Sequence, residues 1–322
     1  FGAAFLQPRA PQRVAMPPSD ELLAYLTRMG LDTSAPPPPP TLATLTALQV
    51  QHGRRFPFEN IDPATCRRVG LNEERLMHKV RAGRGGYCFE QTTLLVKMFK
   101  ELGFNCRIVL ARVIVHPVLS PMTHAVVVVT LEDGEYLVDT GYGAGSPRMP
   151  IPLPAPGGAA AGEVVYRQYS EAYRFEVDTE FYPQGGALKL QRWSWEDYAK
   201  DAAGAEVKNA SAYWLSHYVF HSGIPAFDVD LAMGSHYVST YTGPKPNFFT
   251  QSIFCNVLTA TGRVTLSGGK LKVLSRTSTA DFDDLAAAAA AAGGVVVVQD
   301  PPGWAPVEGP SVVRPPPPPP PG

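Results

Sequence analysis

Four cysteines and seven histidines occur in this chain of 322 residues, and one cysteine stands where a thiolate could be made and used. The segment Arg84-Gly85-Gly86-Tyr87-Cys88-Phe89-Glu90 places Cys88 at the first turn of an expected helix, behind a glycine-rich approach and an arginine. Unpaired amides and the helix dipole favour negative charge at such a position, which raises the nucleophilic fraction of a thiol at neutral pH. Gly85 and Gly86 let a substrate approach the backbone closely, and free amides there could serve as oxyanion donors. The alternative is a small buried hydrophobe, the usual fate of a free cysteine; position and neighbours favour the nucleophile. The other three look inert. Cys106 and Cys255 lie in apolar, strand-like segments and Cys66 in a polar loop beside Arg67 and Arg68, with no C-x-x-C pair anywhere. A phosphate loop at Gly83-Arg84-Gly85-Gly86 is a weaker reading, because no strand precedes it and neither nucleotide-binding glycine pattern is present.

A nucleophilic cysteine needs a base and a group that orients the base. His124 opens the apolar run 125–129, where a polar residue needs a reason. Asp139 ends the next expected strand within Leu137-Val138-Asp139-Thr140-Gly141, a costly place for an unpaired carboxylate. If Asp133-Gly134 forms a two-residue hairpin turn, Glu132 faces Glu135 and His124 falls opposite Gly143. Asp139 then shares the face of His124 but lies four residues out of step, roughly 13 Å at strand rise. Closing that gap requires a bulge, a bend or a longer loop. His217 and His221 are four apart and would share one helix face, a spacing that metal sites use. The intervening Ser-Tyr-Val-Phe lacks the glutamate of H-E-x-x-H and no third ligand is evident, so no metal is expected. His52 and His78 fall on helical segments with surface or packing roles.

The elements that must hold these residues come in blocks. Ser19 is a good N-cap for an amphipathic helix over 20–29 stopped by Gly30. Leu42, Leu45 and Leu48 repeat at helical spacing, Asn72 caps a helix over 73–80, and another runs over 88–102 up to Gly103. From residue 106 the pattern turns β-branched: strands are expected at 106–115, 125–130, 135–138, 164–169, 173–177 and 188–193. Further strands are expected at 252–259, 263–266 and 270–274, followed by an alanine-rich helix over 281–292 and a run of valines at 295–298. Helices first, strands in the middle and a mixed end describe an α+β architecture rather than an alternating, doubly wound sheet.

Composition sets the outer limits. Lys and Arg number 28 against 29 Asp and Glu, a net charge of −1, without the basic excess of nucleic-acid or membrane-surface binders. No apolar run reaches the ~18–20 residues of a membrane span. The longest, 285–298, is interrupted by Gly293 and Gly294. Four cysteines make no disulfide framework and suit a reducing compartment, so a cytoplasmic location is the default expectation. Proline is in surplus, 33 residues, about twice the average share, partly in homopolymer runs at 36–40 and 315–321. Such runs adopt polyproline II; here loop and tail filler is favoured over a ligand for an SH3-like domain. Residues 1–15 precede Met16 and carry Arg9 and Arg13 but no acid. A cloning remnant or misassigned start ranks ahead of an organellar presequence.

Taken in order, the motifs resemble those of the arylamine N-acetyltransferase family. Pro57-Phe58-Glu59-Asn60 is similar to its P-F-E-N, and Arg84-Gly85-Gly86-Tyr87-Cys88 to its R-G-G-[aromatic]-C. Thr123-His124 matches its T-H, and Asp139-Thr140-Gly141-Tyr142-Gly143 its D-x-G-[aromatic]-G. Gly262-Arg263-Val264-Thr265-Leu266 with Gly269-Lys270-Leu271 resembles its C-terminal G-R-x-x-L…G-x-x-L. The resemblance covers about residues 19–300. It implies an N-terminal helical bundle over 19–103 carrying the nucleophile, a central β-barrel over 104–215 carrying His and Asp, and a C-terminal α/β lid over 216–300. Residues 1–18 are left as a disordered or non-native extension and 301–322 as a Pro-rich tail. It also supplies what spacing could not: a cysteine-proteinase-like triad, with Cys88 the nucleophile, His124 the base and Asp139 its orienter. Phe58 and Tyr142 would line the acceptor pocket, and Arg84, Gly85 and Gly86 would support the nucleophile. The implied reaction is ping-pong acetyl transfer, in xenobiotic metabolism, from acetyl-CoA, a co-substrate with no permanently bound cofactor, to a small aromatic amine or hydrazine. The chain departs from the family in its proline runs, in an insertion around 147–162, and in Tyr142 where phenylalanine is common. Rival readings are the same chemistry with a malonyl or propionyl donor, a transglutaminase or thiol-hydrolase-like enzyme, and a non-enzymatic binding protein. Oligomeric state, individual CoA contacts and the physiological acceptor are not legible.

Overall fold

The computed structural model describes residues 17–115, 118–155, 164–169, 171–194, 199–200, 206–207, 213–241, 247–259, 262–275 and 295–299. The N-terminal part is helical: α1 (Asp20–Met29), α2 (Leu42–Arg55), α3 (Ile61–Ala64), α4 (Glu73–Arg81) and α5 (Cys88–Glu101). The caps are those the sequence specifies. The Ser19 hydroxyl accepts from Leu22 N, the Asn72 side chain from Arg75 N, and Gly30 closes α1 at φ 76°. The proline run at 36–40 links α1 to α2 and is largely exposed. α5 is buried on most of its circumference, with Cys88, Phe89, Leu95, Met98 and Phe99 at 3% exposure or less. At about 1.5–3 kcal/mol for each fully buried large apolar side chain, its position is set by packing from α1, α4 and the sheet rather than by propensity.

Sixteen strands occur among the described residues, beginning with β1 (Phe58–Glu59) inside the helical part. The middle of the chain supplies β2 (Asn105–Val115), β3 (Val118–Leu119), β4 (His124–Leu131), β5 (Gly134–Val138), β6 (Ile151–Pro152), β7 (Val164–Gln168), β8 (Glu171–Val177), β9 (Leu188–Ser194), β10 (Ala199–Lys200), β11 (Glu206–Val207) and β12 (Tyr213–Phe220). After α6 (Asp228–Thr240) and α7 (Phe248–Gln251) come β13 (Phe254–Leu258), β14 (Gly262–Ser267), β15 (Lys270–Ser275) and β16 (Val295–Gln299). Ten strands form one sheet in the order β16-β7-β8-β9-β12-β2-β4-β5-β6, with β3 attached to β2. All its pairings are antiparallel except β16 on β7. Its outer edges are joined by side-chain amides instead of a ladder: Gln168 bonds Arg148 N, Met149 N and Met149 O, and Gln299 donates to Pro150 O, just before β6. The sheet is thus nearly closed in an α+β fold.

Three local expectations change. The hairpin between β4 and β5 pairs Leu131 with Gly134 and Thr130 with Glu135, so its two turn residues are Glu132 and Asp133. This register differs by two residues from the expected one and carries Asp139 to a place opposite Val126. His124 and Asp139 become diagonal neighbours on one face, within reach of long side chains, and no bulge between them is needed. His217 and His221 do not share a helix. Tyr213–Phe220 is a strand, as its aromatic and β-branched content favours, and a register shift between Ser216 and Tyr218 leaves His217 at a bulge. The valine run also lies in the large sheet, as β16, and β12 extends in it to Phe220. The expected helix over 281–292 and residues 1–16 and 300–322 lie outside the described residues.

A second sheet, in the order β1-β13-β14-β15, ties the C-terminal strands to the segment around Phe58. Phe58 pairs with Asn256, Glu59 with Cys255, and Phe58 makes a parallel bridge to Gly86. Asn60 secures the junction: its side chain donates to Phe249 O and Ser252 O and accepts from Phe254 N. No helix among the described residues is long and apolar enough to cross a membrane.

Candidate active site

Cys88 is the first residue of α5 and is buried at 3% exposure, its Sγ 3.6 Å from Thr123 O. The helix start is organised from below. The Glu90 carboxylate, one turn in, accepts from Tyr87 N at 3.2 Å and pairs with Lys79 at 2.6 Å. Burial pushes the Glu90 carboxyl up to about 7 in spite of that cation. Arg84 reaches Glu59 at 2.8 Å and Asp62 at 3.0 Å, and Lys79 reaches Asp62 at 2.8 Å. Arg84 therefore faces a charge cluster behind the nucleophile loop and not the cavity. Gly85 is required by close approach, since a Cβ there would lie 1.7 Å from Pro57 O. The amides beside Cys88 are not all free: Gly86 N donates to Pro57 O at 3.2 Å and Tyr87 N to Glu90. Neither is available as an oxyanion donor.

His124 begins β4 and Asp139 follows β5, and the pairing of these strands brings the two together. His124 Nε2 lies 3.0 Å from Asp139 Oδ2. Asp139, 1% exposed, is fully satisfied, because Tyr218 OH donates to Oδ2 at 2.9 Å and Gly141 N to Oδ1 at 2.8 Å. Burial alone would lower the affinity of His124 for a proton. The Asp139 carboxylate and then Cys88 outweigh it, and the imidazole is pushed up to about 10. With Nε2 on Asp139, the other ring nitrogen is left for Cys88, whose proximity adds to the same upward shift. Gly141 lets the loop after Asp139 pass the nucleophile, as a Cβ there would stand 2.7 Å from Cys88 Cα. Cys88, His124 and Asp139 are thus in one place, although they come from a helix start and two strand ends.

A cavity of about 440 Å³ opens above Cys88 and His124, and Phe58, Tyr142, Phe249 and Phe254 are among its walls. Phe58 meets Phe249 and Phe254 edge to face at 6.1 and 5.7 Å between centroids, a favoured aromatic geometry. The rings of Tyr142 and His124 meet edge to face at 5.2 Å, and Tyr142 stacks on His217 at 4.6 Å, while its hydroxyl donates to His217 O at 3.0 Å. Tyr218, missed in the sequence reading, lies 4.8 Å from the His124 ring and holds Asp139. The one signal for it was its place in an aromatic, strand-like run. The bulge at His217 explains why neighbouring residues both reach this cluster, since an extra residue breaks the alternation of faces.

A family profile described as N-acetyltransferase matches residues 41–292. The chain is 35% identical over 262 residues to an arylamine N-acetyltransferase of Mycolicibacterium smegmatis, covering 79% of this chain and 82% of that one. It is 30% identical over 249 residues to an arylamine N-acetyltransferase / N-hydroxyarylamine O-acetyltransferase of Salmonella typhimurium, covering 76% of each. The solved structure of an M. smegmatis arylamine N-acetyltransferase superposes with a TM-score of 0.63 at 31% identity, over 82% of this chain and 89% of that one. With its profile match spanning most of the chain and its fold shared with such structures, the protein belongs to the arylamine N-acetyltransferase family and is an acyltransferase.

Proposed function

We propose that the protein transfers an acetyl group from acetyl-CoA to the nitrogen of a small aromatic amine or hydrazine through an acetyl-Cys88 intermediate. The observation that carries this reading is the 3.0 Å His124–Asp139 contact beside Cys88, at the base of an aromatic cavity. In the first half-reaction the Cys88 thiolate attacks the thioester carbonyl. A carbon–sulfur bond forms at Cys88 as the one to CoA breaks, and the departing CoA sulfur takes its proton from His124. In the second, the neutral amine attacks the acetyl-cysteine, His124 accepts a proton from nitrogen, and Cys88 leaves as thiolate. Asp139 keeps the imidazole oriented and compensates its charge in both halves. Phe58 and Tyr142 offer flat apolar surfaces to an aromatic ring. Arylamines suit this site because they are mostly unprotonated and nucleophilic at neutral pH.

Intact mass after mixing with acetyl-CoA alone tests the proposal. The expected result is a gain of one acetyl group that is absent in Cys88→Ala and is discharged by adding an arylamine. A propionyl or malonyl adduct formed in preference would keep the chemistry and change the donor. A wild-type protein left unmodified by every acyl-CoA would overturn the reading.

A further inference from the structure

Asn60 stands where β1 ends and α3 begins, and its side chain bonds residues 189 to 194 positions later in the chain. The pairing of β1 with β13 runs through Phe58–Asn256 and Glu59–Cys255, so Asn60 and Phe254 come next in register. Half of that rung is regular, with Asn60 N donating to Phe254 O at 3.3 Å. An antiparallel pair of this kind exchanges two bonds, but the Asn60 carbonyl turns into α3 and accepts from Ala64 N at 3.0 Å. The side chain stands in for it, and Phe254 N donates to Asn60 Oδ1 at 2.6 Å.

The other end of the amide caps α7. Nδ2 donates to Phe249 O and Ser252 O, both at 2.8 Å, carbonyls that a helix end leaves without an internal partner. The amide has one orientation, since a backbone N–H must meet its oxygen and two carbonyls its nitrogen. An aspartate here has only acceptors, a serine one donor and a leucine neither. What the three bonds hold is the aromatic wall. Phe249 and Phe254 line the cavity above Cys88 and meet Phe58 edge to face, and the backbone of both is tied to a residue two places beyond Phe58. Asn60 itself is buried at 0% exposure and is not among the cavity-lining residues.

We propose that Asn60 sets the spacing of Phe58, Phe249 and Phe254, and through it the preference of the site for a ring. It is a positioning residue that acts through the two phenylalanines it tethers. The inference deepens the proposed function by assigning what selects an aromatic acceptor, and it rests on that reading for the nature of the acceptor.

The test compares two alkylating reagents, iodoacetamide and its ring-bearing analogue 2-iodoacetanilide, by peptide mass mapping. With either, Cys88 Sγ bonds to carbon as iodide leaves, so the ratio of the two rates reads the ring and needs neither acyl-CoA nor amine. Cys66, which is exposed, gives the reference ratio within the same chain. In the wild type the anilide-to-amide ratio should be roughly tenfold or more higher at Cys88 than at Cys66, the worth of burying part of a ring. Asn60→Asp sets a carboxylate against two carbonyls. It should lower the Cys88 ratio roughly threefold to tenfold, the worth of one edge-to-face contact, with the iodoacetamide rate within about twofold of wild type. Phe254→Leu should do the same, and the double variant should fall no further. If Asn60→Asp does not fold, Asn60→Ser, which supplies one donor in place of two, carries the comparison with a smaller fall. A Cys88 ratio no higher than that of Cys66, a ratio unchanged in a folded Asn60 variant, losses that multiply in the double variant, or both reagents slowing together would each overturn the proposal. A wild-type protein that shows the ring preference yet takes no acyl group would sink the proposed function and leave the role of Asn60 standing.

Discussion

His124 and His52 are equally inaccessible, at 2% and 0% exposure, and each has one ring nitrogen 3.0 Å from an oxygen partner. Their proton affinities nevertheless part company, with His124 pushed up to about 10 and His52 pulled down to about 3. Desolvation disfavours the charged ring in both places. The partner differs. Asp139 brings a full negative charge, itself held by Tyr218 and Gly141, whereas Tyr25 offers a neutral hydroxyl and Arg28 adds a repelling cation. His217 extends the series: buried, without a carboxylate, and near Arg192 and His124, it is held well below the usual range. A hydrogen bond orients a buried imidazole, whereas a carboxylate lets it carry a proton; of these three rings His124 is the one with such a partner, as the proposed mechanism requires.

The contrast breaks most severely in Asp139→Asn. The neutral amide keeps the shape but removes the charge, so His124 should become a neutral ring like His52. Losing a positioned, charge-compensated base costs roughly 10²–10⁴-fold in rate. The expected outcome is a fall of that size in kcat/KM for acetyl transfer, with the protein still folded. A loss under tenfold would show that the carboxylate is not what makes His124 different.

Stability against pH separates the same two rings from opposite sides. His124 gains affinity on folding, so its contribution is complete below about pH 6.5 and disappears as pH rises through about 10. His52 loses affinity, so its contribution is complete above about 6.5 and disappears as pH falls toward about 3. Each limb is worth on the order of a few kcal/mol. Melting temperatures across about pH 4 to 10 should therefore fall on both sides. Asp139→Asn should flatten the alkaline limb and His52→Phe the acid limb. A variant that flattened the other limb would reverse the assignment.

Of this pair, the sequence disclosed one member and hid the other. His124 and Asp139 stood out because each is polar beside an apolar run, and the α+β order of elements was plain from helical and strand periodicity. The register that joins them was not, because Asp133-Gly134 is the stronger local turn signal and the chain turns one residue earlier. His52 read as an ordinary helical residue, since its partner Tyr25 lies 27 positions away in sequence. Tyr218 was hidden by a bulge that no local pattern announces. α6 was hidden by having apolar residues on both faces: Leu231 and Val238 inward, Val229 and Met233 outward. The pairing of β1 with β13 joins segments nearly two hundred residues apart, a contact set by tertiary packing alone.

The smallest effects distinguish two tyrosine hydroxyls that serve different masters. Among the described residues Tyr25 OH is the hydrogen-bond partner of His52 Nδ1, so Tyr25→Phe leaves a buried ring nitrogen bare and should cost about 1–3 kcal/mol of stability. Tyr142 OH serves a backbone carbonyl, His217 O, at a point where the bulge withdraws it from regular pairing. Its ring meets that of His124 edge to face, while its hydroxyl is committed to that carbonyl. Tyr142→Phe keeps the ring contact with His124 and the stack on His217, losing one neutral hydrogen bond worth about 1 kcal/mol. Acceptor preference, measured as kcat/KM ratios across a set of ring-substituted arylamines, should stay within about threefold of wild type, less than one such hydrogen bond. A wholesale change of preferred acceptor would mean that the hydroxyl reaches substrate, and that Tyr142 selects the ring it receives. On the geometry of the bulge it instead secures the strand from which Tyr218 reaches Asp139, one step removed from the proton that sets His124 apart.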